Sequence, residues 1–299
     1  MLTIKQFFST AVVCVAVTGQ AAQGLDTALF PSLRDYSDEA IRLHGLAALF
    51  PNRVLFEDPQ LEIHSESRVA ARVEDLPRAI KYIRLYRLDE AKSVLTEFQT
   101  QSALILDLRF LKSNHTAMDT LGCFATAKET RRLTTVGTVP PDLSTFGDVS
   151  CTVRDAPVIV LCNRETAGPF EAVLHQLQVA GTIIAVGETT AGRTGFYSKA
   201  SAKAWILCGE VRPDGDTSMV GVGFEPRIRL ESNAKENYLS YHLYEAGTDI
   251  LQLLRNEDSS SDNDSAIEAD SSRIEPDRIL QRGVDIIAAL QILQQQPKL

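Results

Sequence analysis

Apolar residues fall along this chain in two kinds of run. The first kind is short, unbroken and rich in β-branched side chains. Ala103–Arg109 (ALILDLR), Pro157–Cys162 (PVIVLC) and Thr182–Val186 (TIIAV) belong to it. Runs of this length without alternation predict strands buried on both faces of a sheet. Ala79–Tyr86 and Ala204–Leu207 predict two further strands, and Leu61–Val73 alternates loosely enough for a short strand pair. The second kind repeats at helical spacing. Asp89 opens one such stretch, with Ala91, Val94, Leu95 and Phe98 on a single face. A helix is expected from near Gly168 to Val179, and another from Asp35 or Ser37, carrying Ile41, Leu43, Leu46 and Leu49. Asp277 opens the last, with Leu280, Val284, Ile287 and Ala288 aligned. Strands alternating with helices predict an α/β protein. In such a fold the turn Asn163–Pro169 and the loop Gly187–Arg193 come to the same end of the sheet, where sites are usually built.

The ends and polar stretches set the expected organisation. In residues 1–22, Lys5 precedes an apolar run, Phe7–Val17, and a small-residue Gly19-Gln20-Ala21 site. That order predicts a signal peptide and export to a periplasm or beyond, the alternative being a buried N-terminal helix. The run is too short to span a bilayer as a mature helix. Residues 23–76 then form a helical and strand region, 77–231 a core, and 232–255 a helical extension. Residues 256–276 are acidic, serine-rich and read as a solvated linker before the helix of 277–299. Thr126–Pro157 is polar, with a loop near Pro140–Asp148.

Charge and cysteine usage narrow the function classes. A net charge of −9 with no basic block argues against nucleic acid as a partner. Cys123, Cys151, Cys162 and Cys208 remain after the leader; they are compatible with any of three disulfide pairings or, for Cys162 and Cys208, with buried free thiols. No pair stands at C-x-x-C spacing, His44 and His64 are isolated, and the acidic segment lacks an EF-hand pattern. No metal and no cofactor is expected.

The central stretch, APVIVLCNRETAGPFEAVLHQLQVAGTIIAVGETTAGRTGFY from Ala156, resembles the core of the tail-specific (C-terminal processing) serine peptidases. Asn163, Glu171, Gln178, Gly181, Gly187, Glu188, Thr190 and Gly192 fall in register with that family without a gap. The ALILDLR run resembles its L-I-L-D-L-R-N-N-x-G-G segment, and Pro213-Asp214-Gly215 through Gly221, Gly223, Pro226 and Ile228 its closing motif, Arg227 replacing an acid. The resemblance covers most of 80–230 and the closing helix, and implies a ClpP/crotonase-like α/β core with a mixed sheet layered by helices. No PDZ-like pattern precedes it.

The register also implies what is missing. The family's nucleophilic serine falls at Gly168, its lysine base at Arg193, and a helix aspartate at Val179. Gly168 carries no nucleophile, and an arginine stays protonated in any protein environment, so it cannot accept a serine's proton. The glycines whose N–H groups would face a reacting carbonyl are replaced within Phe110-Leu111-Lys112-Ser113-Asn114, where a positive φ is harder to hold. Asp107 and Arg109 read either as a structural pair at the strand end or as plain surface charge. Three functions follow as expectations. The first is a proteolytically inactive homologue that binds extended polypeptide or a protein partner, with Arg193, Glu188 and Asn163 as binding residues and Arg193 pairing with a peptide carboxylate. The second is an active peptidase using Thr166, with His175 as its base. The third is a crotonase-type activity, for which no oxyanion glycines remain.

Overall fold

The computed structural model describes residues 52–56, 69–88, 103–113, 133–138, 156–201, 204–213, 217–231, 233–254 and 276–295, with Leu43, Ala47, Ala91, Val94, Leu95, Leu121 and Phe124. The expected signal peptide, most of the helix from Asp35, the loop near Pro140–Asp148, residues 256–275, His44, His64, Cys123 and Cys151 lie outside the described residues.

The fold is α/β with a mixed six-stranded sheet. Its strands are β2 (Ala71–Leu76), β3 (Ile80–Leu85), β4 (Ala103–Asp107), β6 (Val158–Cys162), β7 (Ile184–Gly187) and β10 (Ile228–Arg229), ordered β10-β7-β6-β4-β3-β2. All neighbours are parallel except the β2–β3 hairpin. β4 and β6 are buried along their whole length, as unbroken apolar runs demand of central parallel strands. A second, four-stranded sheet gathers on β9 (Ala204–Pro213), which pairs antiparallel with β1 (Val54–Leu55), β5 (Leu133–Gly137) and β8 (Gly195–Ser201). Helices α1 (Phe170–Ala180), α2 (Ala234–Glu245), α3 (Ile250–Leu253) and α4 (Arg278–Gln295) complete the delimited elements.

Two sequence expectations need correction. Of the strand pair expected in Leu61–Val73, residues 61–68 lie outside the described residues; the described strand Ala71–Leu76 turns into β3 through Pro77–Ala79, where Arg78 (φ 63°) and Ala79 (φ 55°) are left-handed without glycine. β9 runs on from the expected Leu207 to Pro213, because its second half is polar yet fully paired with β5 and β8. β5 itself lies in a stretch read as polar; only Leu133 of its five residues is buried.

Alternation of side chains across the large sheet divides the core. Leu104, Leu106, Val158, Val160 and Cys162 point toward α1 and the second sheet, meeting Val173, Leu174, Leu177, Phe196 and Val211. Ile105, Ile159, Leu161 and Val186 point the other way, onto Ile279, Leu280 and Ile287 of α4 and Tyr244 of α2.

Asp107 and Arg109 are structural, and the surface-charge reading is overturned. Both are buried, with Arg84 beside them. Asp107 accepts from the Arg109 backbone (3.0 Å) and guanidinium (2.7 Å), from Arg84 (3.1 Å) and from the Tyr82 hydroxyl (2.6 Å). Arg109 reaches on to Asp277 (2.8 Å), whose carboxylate also caps α4 by accepting the Leu280 N–H (3.0 Å). Burial alone would raise the Asp107 carboxyl, but the Arg109 and Arg84 guanidiniums and their hydrogen bonds hold it well below the usual carboxylate range. Two strand ends and the closing helix are thus tied by one ionic cluster, in which every charge is compensated.

Candidate functional site

The parallel strands β4, β6 and β7 deliver three connections to one end of the sheet: Leu108–Ser113, Asn163–Pro169 and Glu188–Thr194. Asn163 organises the first two. Its side-chain oxygen accepts the N–H groups of Phe110 (3.0 Å), Glu165 (3.2 Å) and Thr166 (3.1 Å). Phe110 consequently sits at φ 64°, so the left-handed backbone thought hard to hold without glycine is retained. Thr166 is fully buried; its hydroxyl donates to the Leu108 carbonyl (2.9 Å) and accepts the Asn163 N–H (3.0 Å). A serine-like attack needs a hydroxyl facing a cleft and bonded to a base. The Thr166 hydroxyl instead closes its own turn, and its bonds run to Leu108 and Asn163 rather than to His175.

The position that the motif register expects of a nucleophile is closed by backbone. Residues 111–113 lie alongside Ala167, whose N–H donates to the Leu111 carbonyl (2.9 Å) while the Ser113 N–H donates to the Ala167 carbonyl (3.0 Å). The Ser113 N–H, where the motif register expects an oxyanion donor, is therefore already bonded within the protein. Gly168 follows at φ 150°, where a Cβ would stand 2.1 Å from the Ser113 carbonyl oxygen and 2.8 Å from the Phe170 ring. No L side chain fits there unless the backbone moves.

Glu171 holds this arrangement to the neighbouring loop, a role its sequence position did not reveal. Its fully buried carboxylate accepts the N–H groups of Gly168 (3.0 Å), Gly192 (2.9 Å) and Arg193 (3.0 Å) and the Thr190 hydroxyl. Burial pushes its pKa up; the Thr190 hydroxyl and the three N–H groups pull back without cancelling the rise. Thr190 in turn accepts the Phe224 N–H (2.7 Å), and Gly223 leaves no room for a Cβ, which would meet the Thr190 carbonyl at 2.3 Å. The loop is locked between α1 and the 219–224 turn. Arg193 is half-buried on it.

Of the three expected binding residues, Asn163 and Glu188 line one cleft of about 460 Å³ and Arg193 does not. The cleft lies between the strand ends and α2, which adds Lys235, Asn237, Tyr238, Tyr241 and His242. Glu188 is held by Arg164 (2.5 Å) and by the Asn237 amide (2.9 Å). Sequence reading missed the α2 residues, although tyrosines at 238, 241 and 244 in its expected helix were the available signal. Cys162 and Cys208 are free thiols, and burial, with nearby carboxylates, pushes the Cys162 thiol far above its ordinary value. Among the described residues, no three His, Cys, Asp or Glu side chains are grouped to hold a metal ion, and no helix is long and apolar enough to cross a membrane.

No protein-family model matches the sequence, and no characterised protein matches it by sequence. Among solved structures, the chain is similar to peptidases of the tail-specific type at low identity. The photosystem II D1 C-terminal processing protease matches at 14% identity and a TM-score of 0.38, over 55% of this chain and 49% of that one. Mature CPAF complexed with lactacystin matches at 13% and 0.40, over 77% and 63%. A lipoprotein from Streptococcus agalactiae matches at 14% and 0.47, over 78% and 95%. The chain thus spans about half the length of the first of these and under two thirds of the second.

Proposed function

We propose that the protein is an exported, proteolytically inactive relative of the tail-specific peptidases that binds polypeptide without cutting it. One observation carries the reading: at the nucleophile's place in the motif register, a Cβ would lie 2.1 Å from a main-chain carbonyl. The other features agree with it. Arg193 keeps a charge that no environment removes, which suits it to hold a carboxylate and not to act as a base. Thr166 spends its only proton on Leu108. The Ser113 N–H is bonded to Ala167. Nucleophile, base and oxyanion donor are each replaced by something incompatible with acyl transfer, while the scaffold that would position them is intact. Export rests on the leader-like residues 1–22.

Incubating the purified chain with casein tests both halves. Intact casein and no labelling by a fluorophosphonate probe are expected, together with retention of casein on the immobilised protein. Cleavage or labelling would overturn the inactive reading; failure to retain casein would overturn the binding one.

A further inference from the structure

We infer that the cleft under α2 is a peptide subsite for an aromatic residue next to an acidic one. This rests on the polypeptide-binding reading above and names where and what the protein binds. The floor of the cleft is aromatic by arrangement. Phe110 lines it from a left-handed backbone (φ 64°), a conformation unfavourable for a bulky residue and one that a glycine would adopt freely. Its ring meets Tyr241 at 4.5 Å and 52°, and Tyr241 is backed by the Arg84 guanidinium at 4.6 Å. The ionic cluster thereby fixes the ring that forms the floor.

The wall is aromatic as well and faces outward. Tyr238 and His242, one turn apart on α2, are in contact at 3.9 Å between ring centroids with their planes tilted by 57°, and Tyr238 is 58% exposed. An exposed tyrosine held by a neighbouring ring at the edge of a cleft offers apolar surface at little entropic cost.

The charge balance selects the second feature. Glu188 is satisfied by Arg164 and Asn237, and Glu165 pairs with Lys112 (3.2 Å). Lys235 has no carboxylate partner among the described residues, is exposed, and stands in the first turn of α2, where the helix dipole is positive. Beside the aromatic wall, an incoming carboxylate therefore meets a cation that forms no ion pair among the described residues, with Glu236 its neighbour in the same turn. The volume lies within the roughly 300–1,000 Å³ of small-ligand sites.

The test uses short fluorescein-labelled peptides in a Gly/Ser background, centred on Glu-Phe, Lys-Phe or Glu-Ala, titrated into the full chain by anisotropy. The Glu-Phe peptide should bind at least about tenfold more tightly than either control, and Lys235→Glu and Tyr238→Ala should each weaken it about tenfold. Both residues are exposed, so circular dichroism and thermal melting should match the parent. Equal binding of Lys-Phe, no binding of Glu-Phe at about 1 mM, or indifference to both variants would overturn the assignment. If the combined Lys235→Glu/Tyr238→Ala variant still retains casein, this site falls and polypeptide binding stands; if the parent retains neither casein nor peptide, both fall.

Discussion

Replacing Gly168 with serine, the single change that would restore the expected nucleophile, should damage the protein instead of awakening it. The new Cβ would lie 2.1 Å from the Ser113 carbonyl oxygen, so residues 111–113 must retreat by about an ångström to reach ordinary contact. That retreat breaks or stretches two backbone hydrogen bonds, Ala167 N–H to Leu111 and Ser113 N–H to Ala167, at about 1 kcal/mol each. Holding serine at φ 150° adds roughly 1–3 kcal/mol. The sum is about 3–5 kcal/mol. With a urea slope of about 3 kcal/mol/M for a chain this size, the unfolding midpoint should fall by more than about 1 M. Gly181→Ala is the control: its φ of 78° is equally left-handed, but a Cβ there meets nothing, so about 1 kcal/mol is expected. Gly168→Ser/Arg193→Lys should leave casein intact. The reasoning is refuted if Gly168→Ser unfolds no earlier than Gly181→Ala, or if the double variant cleaves.

Glu171→Gln puts an amide NH2 where one carboxylate oxygen accepts two hydrogen bonds, and should cost about 2–4 kcal/mol in urea unfolding; a loss under about 0.5 would show that the clamp is dispensable. Asp107 has a depressed folded pKa, so its contribution is present above the unfolded carboxylate value of about 4 and is lost as pH falls toward the lower folded value. Glu171, raised, contributes fully below its unfolded value of about 4.3 and so is constant in that window, which makes a comparison near pH 3.5 and pH 2 report on Asp107; an unchanged midpoint would contradict this. Arg109→Met strands Asp277 and half of Asp107 in the interior and should cost about 3–5 kcal/mol, measurable by the same titration.

The central strands were legible because burial on both faces leaves no alternation to confuse: ALILD and VIVLC can hardly be read otherwise. β5 and β8 were not, because their partners in β9 supply hydrogen bonds that sequence alone does not display. Leu133 and Val136 are the only large apolar residues of β5 and only Leu133 is buried, while Ser198 and Lys199 of β8 look like surface because they are surface. Asp107 and Arg109 stayed ambiguous for another reason. A charged strand end becomes a buried cluster only when Arg84 and Asp277, distant in sequence, arrive to compensate it.

The site shows the same limit more sharply. Motif register places a glycine where a hydroxyl is expected and an arginine where an amine is expected, since residue identity suffices for that. It could not show how the backbone packs at that position. A glycine at 168 would be compatible with an open bay awaiting a side chain, and what removes that option is the placement of 111–113 against Ala167. That placement depends on Asn163, which gathers the N–H groups of both turns on one oxygen, and on Glu171, which draws the 190–193 loop onto the same helix start. Two residues that fall in register with the peptidase pattern are thus the ones that keep this corner closed. A cleft at the same end of the sheet lies on the α2 side of Asn163, lined by Phe110, Tyr238 and Tyr241. On the proposed reading, absence of catalysis and presence of an aromatic cleft are then two consequences of one backbone arrangement. A variant such as Asn163→Ala, which frees the Phe110 N–H, should loosen both together: weaker Glu-Phe peptide binding alongside a loss of about 2 kcal/mol in unfolding free energy. Full peptide affinity in a destabilised Asn163→Ala protein would separate the two and break the link.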